Sequence, residues 1–242
     1  MPLTTHHKRF EAFRLEQFGR YFWYAIGEIL LIFAGITLAL WFGNWNEERQ
    51  LRELELHTLK EIVADLTVNA ELIEQSIEDD GRYVEVCERF LNAVSSRRPW
   101  QDADAKDIFQ CQFWTSPFIN SAAYESLKSK GADLISDSKV RNAIVDLYEH
   151  VYAVLVEDTD KDFWSFQTSV LNPGFIRYLR WVEPDQFVPS DYEALLDSDE
   201  FMNLMRWKIG KQRRSILDQQ ATLAVTKNVI GIIDAALLLQ TP

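Results

Sequence analysis

The sequence predicts an all-α protein: an N-terminal transmembrane helix that continues into a long amphipathic helix, followed by an extracytoplasmic helical bundle. Three observations predict it. Phe22 to Gly43 is a run of 22 residues with a single ionisable group. From Leu59 to Val94 apolar residues recur at three- and four-residue steps with charges between them, the pattern of an amphipathic helix. Nine glycines and seven prolines in 242 residues leave few breakers between long helical stretches. The expected organisation is a basic tail over 1–20, a membrane helix over 21–45 and a helical domain over 46–242.

The apolar run has the length of a span, because 22 residues rising about 1.5 Å each cross a hydrocarbon core of about 30 Å. Eleven of its residues are Leu, Ile or Phe. At roughly −0.3 to −0.6 kcal/mol each they outweigh Glu28, which costs at most about 3 kcal/mol at mid-membrane. Tyr21, Trp23 and Tyr24 before the run and Trp41 and Trp45 after it are placed as interfacial anchors. Lys8, Arg9, Arg14 and Arg20 precede the span, whereas NEERQLREL beyond it is acidic on balance. The positive-inside rule therefore puts the N-terminus in the cytoplasm and the rest outside it. A cleaved signal peptide would need an apolar region of about 7–15 residues and a small-x-small site; Thr37-Leu38-Ala39 matches that poorly.

Gly35, Ala39 and Gly43 follow one another at four-residue spacing, a small-xxx-small surface that lets a second helix approach closely. Glu28 lies seven residues before Gly35 and so on nearly the same side. An acid within a span points to helix pairing or proton transfer, against the plainer reading of a carboxyl that leans to the headgroups. The expected partners are the lipid bilayer and a second copy or another membrane protein.

The segments YAIGEI, GITLAL and NWNEE, within Tyr24 to Glu48, resemble the opening of a bacterial family of single-span membrane proteins, a domain of unknown function. AAYESLKSKGADLISDSKVRNAIVDLYE, Ala122 to Glu149, is similar to that family's second recurrent block. The two blocks cover about a quarter of the chain. The first carries Gly27, Glu28, Gly35, Asn44, Trp45, Asn46 and Glu47 in order, and departs at Trp41-Phe42-Gly43, where smaller aliphatic and amide residues are expected. The resemblance implies a bacterial inner-membrane anchor and a helical periplasmic body, with no activity or cofactor attached.

Past the span no breaker intervenes, so the amphipathic helix is expected to continue from the membrane segment to about Ser95, with Asp80-Gly81 as a point of disturbance. Pro99 ends it. Trp100 to Phe118 reads as a less regular aromatic segment folded over the bundle. Asn120 or Ser121 caps a short helix stopped by Gly131, with Lys128 and Lys130 suiting its negative end. Asp137 caps a longer helix to about Val170, and Asn172-Pro173-Gly174 reads as a turn. Ser190 precedes a short helix and Ser198 opens a last long one towards Gln240. That helix ends in VTKNVIGIIDAALLLQ, where Lys227 and Asp234 favour a bundle helix over a second span.

Cys87 and Cys111 lie in the part placed outside the cytoplasm, where a disulfide can persist, although Cys87 on the apolar stripe also suits a buried free thiol. A net charge of −12 counts against phosphate-backbone binding, so nucleic acid is not an expected partner. Asp158, Asp160 and Asp162 alternate like the start of a calcium loop, but Phe163 and Ser169 stand where Gly and Glu are required. His6 and His7 sit in the tail, and His57 and His150 stand alone. No HExxH, paired CxxC, glycine-rich phosphate loop or G-x-S-x-G elbow is present. No catalytic, cofactor or metal residue is therefore assigned, and a non-enzymatic interaction component is expected. Two other classes stay open: a ligand-sensing module that signals through a membrane partner, and an accessory subunit of a proton-driven complex that uses Glu28.

Overall fold

A computed structural model describes the backbone of residues 7–240 and the side chains of residue 24 and of residues 26–157 and 160–239. The described chain is helical apart from one hairpin and short loops. Two compact units divide it, Met1–Leu54 and Glu55–Pro242. Helix α1, His7–Ser95, is assigned without a break at Asp80-Gly81. Gly81 interrupts nothing, since one glycine in so long a helix costs only about 1 kcal/mol against alanine.

The second unit is built on three long helical stretches. Besides the C-terminal part of α1 these are α8, Asp199–Gln240, and a run made of α4 (Ser138–Asp146), α5 (Asp160–Phe166) and α6 (Asn172–Tyr178), joined by π-helical turns. Cross-links between α1 and α8 pair Glu74 with Lys227, Asp80 with Gln219, and Glu88 with Arg213, so the two helices run antiparallel. Tyr152 with Thr226 and Asp162 with Lys211 set the α4–α6 run antiparallel to α8 as well.

The packing seam on α8 is regular. Lys208, Gln212, Ser215, Gln219, Thr222, Thr226, Val229, Ile233 and Ala236 are all buried and alternate steps of four and three residues. That is the spacing by which one helix keeps a single face towards a neighbour. On α1 the matching series is Leu59, Ile62, Leu66, Asn69, Ile73, Ser76 and Asp80, followed by Val84 and Cys87. Two consecutive steps of four, at Ser76-Asp80-Val84, form a stutter that shifts the seam locally.

Apolar side chains fill the two ends of this seam. One cluster packs Leu59, Ile62, Leu66 and Ile73 with Leu127, Ile144, Leu147, Val229 and Ile233. The other packs Val84, Cys87 and Phe90 with Ile108, Phe175, Leu195, Phe201 and Met205. The apolar end of α8 thus covers the first cluster, as expected of a bundle helix; Lys227 pairs with Glu74 and Asp234 faces outwards.

The segment from Ala122 onward folds into α3 (Ala122–Lys130), a short 3-10 turn (Ala132–Leu134) and α4. Gly131 ends α3 with φ of +96°, a conformation that glycine alone adopts cheaply. Asp137 caps α4 by accepting bonds from the Lys139 and Val140 amides. Ahead of α3 the cap comes from Asn120, whose Oδ1 accepts from Ala122 N at 3.2 Å, whereas Ser121 makes no such bond.

Several expectations are corrected. Trp100 to Phe118 contains a helix, α2 (Asp102–Gln110), started by a capping box between Gln101 and Asp104. Asn172-Pro173-Gly174 opens α6 and does not turn the chain. Proline is tolerated in a helix's first turn, and here a wider π turn, Gln167–Leu171, precedes it and relieves the ring's clash with the preceding carbonyls. Gly174 lies close against α8: a Cβ there would stand 2.4 Å from Leu204 Cδ2, so a larger residue would make the Leu204 side chain move. A two-stranded antiparallel hairpin, β1 (Leu179–Glu183) and β2 (Gln186–Pro189), follows α6 and departs from a purely helical body. Its Phe187 packs on Phe109 of α2 with ring centroids 5.2 Å apart, support that a lone hairpin needs. Ser190 precedes the last short helix, α7 (Tyr192–Leu196), as expected, and Asp191 caps it by accepting from Ala194 N at 3.1 Å.

Candidate functional site: an uncovered apolar helix and a buried polar centre

In the first unit the apolar run lies bare. Leu31 is 77% and Phe33 68% exposed, and none of the run's most apolar window is buried within the protein. Among the described residues two helices, α1 and α8, are long and apolar enough to cross a membrane. They differ in cover, because the corresponding window of α8 is partly buried. The hydroxyl of Thr37 donates to Phe33 O at 2.8 Å, which hides its polarity within the helix.

Glu28, Gly35, Ala39 and Gly43 fall within about 80° of one another at 3.6 residues per turn, and all four are exposed. A Cβ added at Gly27, Gly35 or Gly43 would meet nothing within 4 Å. Glu28 makes no hydrogen bond or ion pair among the described residues. Tyr24 is 80% exposed, and Trp41 and Trp45 are exposed too, with Phe42 and Trp45 rings 5.7 Å apart. The side chains of Tyr21 and Trp23, and those of the basic tail, lie outside the described residues.

In the second unit the middle of the seam is polar, and the sequence reading passed over it. Asp80 is completely buried and accepts three hydrogen bonds: from Thr115 N at 2.8 Å, Gln212 Nε2 at 2.9 Å and Gln219 Nε2 at 3.0 Å. Lys208, equally buried, donates to Phe113 O at 2.8 Å and to Gln212 Oε1, and its Nζ lies 4.8 Å from the centre of the Phe163 ring. Ser76 and Thr115 close the network from the α1 side, with Ser76 Oγ donating to Thr115 Oγ1 at 2.8 Å.

Burial shapes the electrostatics here. Removal from water pushes the Asp80 carboxyl above its ordinary value, against the opposing pull of the Gln212 and Thr115 bonds and of Lys208. The same cause brings the Lys208 ammonium down to about 7, with Asp80 holding it up in part. Two groups that titrate in opposite senses thus sit on facing helices, linked through Gln212. The arrangement ties α1, α8 and the 113–115 segment together.

Polar residues of α1 hold the 120–149 segment in a similar way. Asp65 accepts from Ala123 N at 2.9 Å and from Asn120 Nδ2 at 2.8 Å, and Asn69 exchanges two bonds with the Asn120 backbone. Glu55 accepts from both the amide and the hydroxyl of Ser136. Tyr124 and Lys128 converge on Glu149, whose carboxyl is held below its usual range chiefly by the Lys128 bond. YESLKSKG is thereby accounted for as docking and helix termination.

Cys87 and Cys111 are joined as a disulfide, with Cα atoms 5.3 Å apart and both residues buried in the second apolar cluster. The bond ties α1 to the end of α2. The alternating acids are dispersed: Asp160 accepts from Trp114 Nε1 at 3.1 Å, Asp162 pairs with Lys211, and the Asp158 side chain lies outside the described residues. His57 meets only Glu61, at 3.2 Å on an exposed face, and His150 is exposed. Among the described residues no group of three or more His, Cys, Asp or Glu could hold a metal ion.

The buried network was detectable in principle. The three- and four-residue rhythm passes through Asn69, Ser76 and Asp80 on α1 and through six consecutive polar residues on α8, so the signal was periodicity that continues where hydrophobicity stops. No protein-family model, curated protein or solved structure matches the chain.

Proposed function

We propose that the protein is a non-enzymatic, single-pass component of the bacterial inner membrane. Its N-terminus lies in the cytoplasm and its acidic helical unit in the periplasm. It associates with a second copy or another membrane protein through the face formed by Glu28, Gly35, Ala39 and Gly43. The observation that carries this reading is the bare apolar run: a helix hydrophobic all round, with nothing of its own chain laid over it, is suited to lipid and not to water. The charge asymmetry around the run and the likeness of its YAIGEI and NWNEE segments to single-span bacterial proteins support the same reading. The disulfide agrees with an oxidising compartment.

Gly35→Ile tests the association. The added side chain meets nothing in the protein itself, so folding is expected to be unchanged, while crosslinked dimers or partner adducts in native membranes fall several-fold. Monomer alone in both forms would overturn the proposal. Protease treatment of spheroplasts tests sidedness, and the helical unit is expected to be cleaved from outside.

A further inference from the structure

A cleft of about 500 Å³ opens on the second unit between α8 and the stretch that links α5 to α6. Its volume lies in the range of about 300–1,000 Å³ usual for small-molecule sites. The walls are apolar: Phe166 and Leu204 are buried at its floor, and Val170 and the broad face of Trp207 stay open to solvent. Trp207 is 59% exposed, a large unspent aromatic surface at the mouth of a concavity.

Polar groups around the cleft are biased towards donors. Glu200 is its one acid, and both its oxygens are engaged, one by Arg177 and the other by the Tyr178 hydroxyl at 2.9 Å. Arg177 keeps further N–H groups beyond that bond. Among the described residues Lys211 has a single hydrogen-bond partner, Asp162, at 2.5 Å, and its Nζ stands 5.5 Å from the centre of the Phe166 ring, so two of its three N–H groups remain to be used. The Asn203 amide and the Trp207 indole N–H make no hydrogen bond among the described residues. The lining holds two cations, Arg177 and Lys211, and one acid, with Asp162 paired to Lys211 from outside it, in a chain of net charge −12. The surrounding stretch of α8, Arg206 to Arg214, holds five cations and no acid.

We propose that this cleft binds a small monocarboxylate with a compact apolar body. The head takes the free donors of Arg177, Lys211 and Asn203, and the body lies on Phe166, Leu204 and Trp207. Glu200 and Asp162 already balance the two cations, so the head is held by their unused N–H groups and not by a surplus of charge. A cationic ligand would meet Arg177 and Lys211 among the lining residues, and a highly charged one would leave the apolar walls unused. The site lies wholly within residues 166–211 and does not rest on the membrane reading, so either can fail alone.

The test uses the full-length protein in a mild non-ionic detergent, titrated calorimetrically with 3-phenylpropionate and with cyclohexanecarboxylate. The uncharged 3-phenylpropanol shares the body of the first and serves as control. Saturable one-to-one binding of at least one acid is expected at sub-millimolar concentration, with the alcohol about tenfold weaker or worse. Asn203→Trp, an exposed position whose new ring fills the cleft, is expected to abolish binding without lowering the melting temperature. Lys211→Met is expected to reduce the preference for acid over alcohol several-fold. Absence of saturable binding by both acids up to about 10 mM, equal binding of acid and alcohol, or binding that survives Asn203→Trp would each overturn the proposal.

Discussion

Helix α1 contains two stretches that solve the same problem in opposite ways. Between Ile29 and Trp45 apolar side chains point in every direction and all are exposed. Between Leu59 and Val94 they keep to one face, and most of that face is buried, down to full burial at Ile62, Leu66 and Ile73. A helix that is apolar on one side needs only other helices to cover it, while one that is apolar all round needs a surrounding medium. The difference lies in how hydrophobicity is distributed around the helix, since both stretches form an uninterrupted α-helix.

The sharpest way to break the comparison is one substitution made twice. Leu66→Ala removes a fully buried side chain from the first cluster and is expected to cost about 2–5 kcal/mol, lowering the melting temperature by roughly 5–15 °C. Leu38→Ala, in the bare stretch where the side chain is 64% exposed, is expected to leave the melting temperature of the helical unit unchanged. Equal effects in thermal melts followed by circular dichroism would show that the bare stretch is covered after all.

A smaller effect is expected from the covalent tie within the covered stretch. The Cys87–Cys111 bond closes a loop with a sequence separation of 24, for which chain-entropy arguments give about 3 kcal/mol. Reduction with dithiothreitol, or the double Cys87→Ala and Cys111→Ala change, is therefore expected to lower the melting temperature of the helical unit. Identical melts with and without reductant would remove the disulfide from the account of its stability.

The smallest expected effect concerns pH and the polar middle of the seam. Between about pH 7 and the ordinary lysine value of 10.5, the unfolded chain holds a proton on Lys208 that the folded chain has shed. Stability from this group therefore rises with pH across that window. Asp80 acts at the acid end: its raised folded value makes its contribution fall as pH climbs through the interval above 3.8. Lys208→Met is expected to flatten the alkaline rise by about 2–4 °C in melting temperature, what about 1 kcal/mol is worth in a domain of this size. An unchanged slope between pH 7 and 9.5 would show that Lys208 does not titrate there. Asp80→Asn offers a milder probe, because Gln219 Oε1, which lacks a partner, can accept from the new amide if the Gln219 side chain flips.

Much of this was legible in residue order. The apolar run, the amphipathic stripe, the Asp137 cap and the Gly131 stop are local signals, each contained within a few turns of chain. The hairpin escaped because Leu179 to Pro189 is short, carries Pro184 and Pro189, and holds its shape by resting on Phe109, some seventy positions earlier. The break expected at Asn172-Pro173-Gly174 does not occur: a π turn precedes the proline, which then sits in the first turn of α6, where its ring is tolerated.

Sequence alone determined that the longest segments are helical and which of them is apolar on all sides, because helix periodicity and hydrophobicity are properties of neighbouring residues. Only the tertiary structure decided that Asp80 and Lys208 share one dry centre, that Cys87 meets Cys111, and that Arg177, Trp207 and Lys211 line one cleft. Asp80 and Lys208 are 128 positions apart, Cys87 and Cys111 are 24, and Arg177 and Trp207 are 30. The first distance is closed by the antiparallel register of α1 and α8, the second by α2 packing on α1 and the third by α6 packing on α8, and no local pattern specifies any of the three.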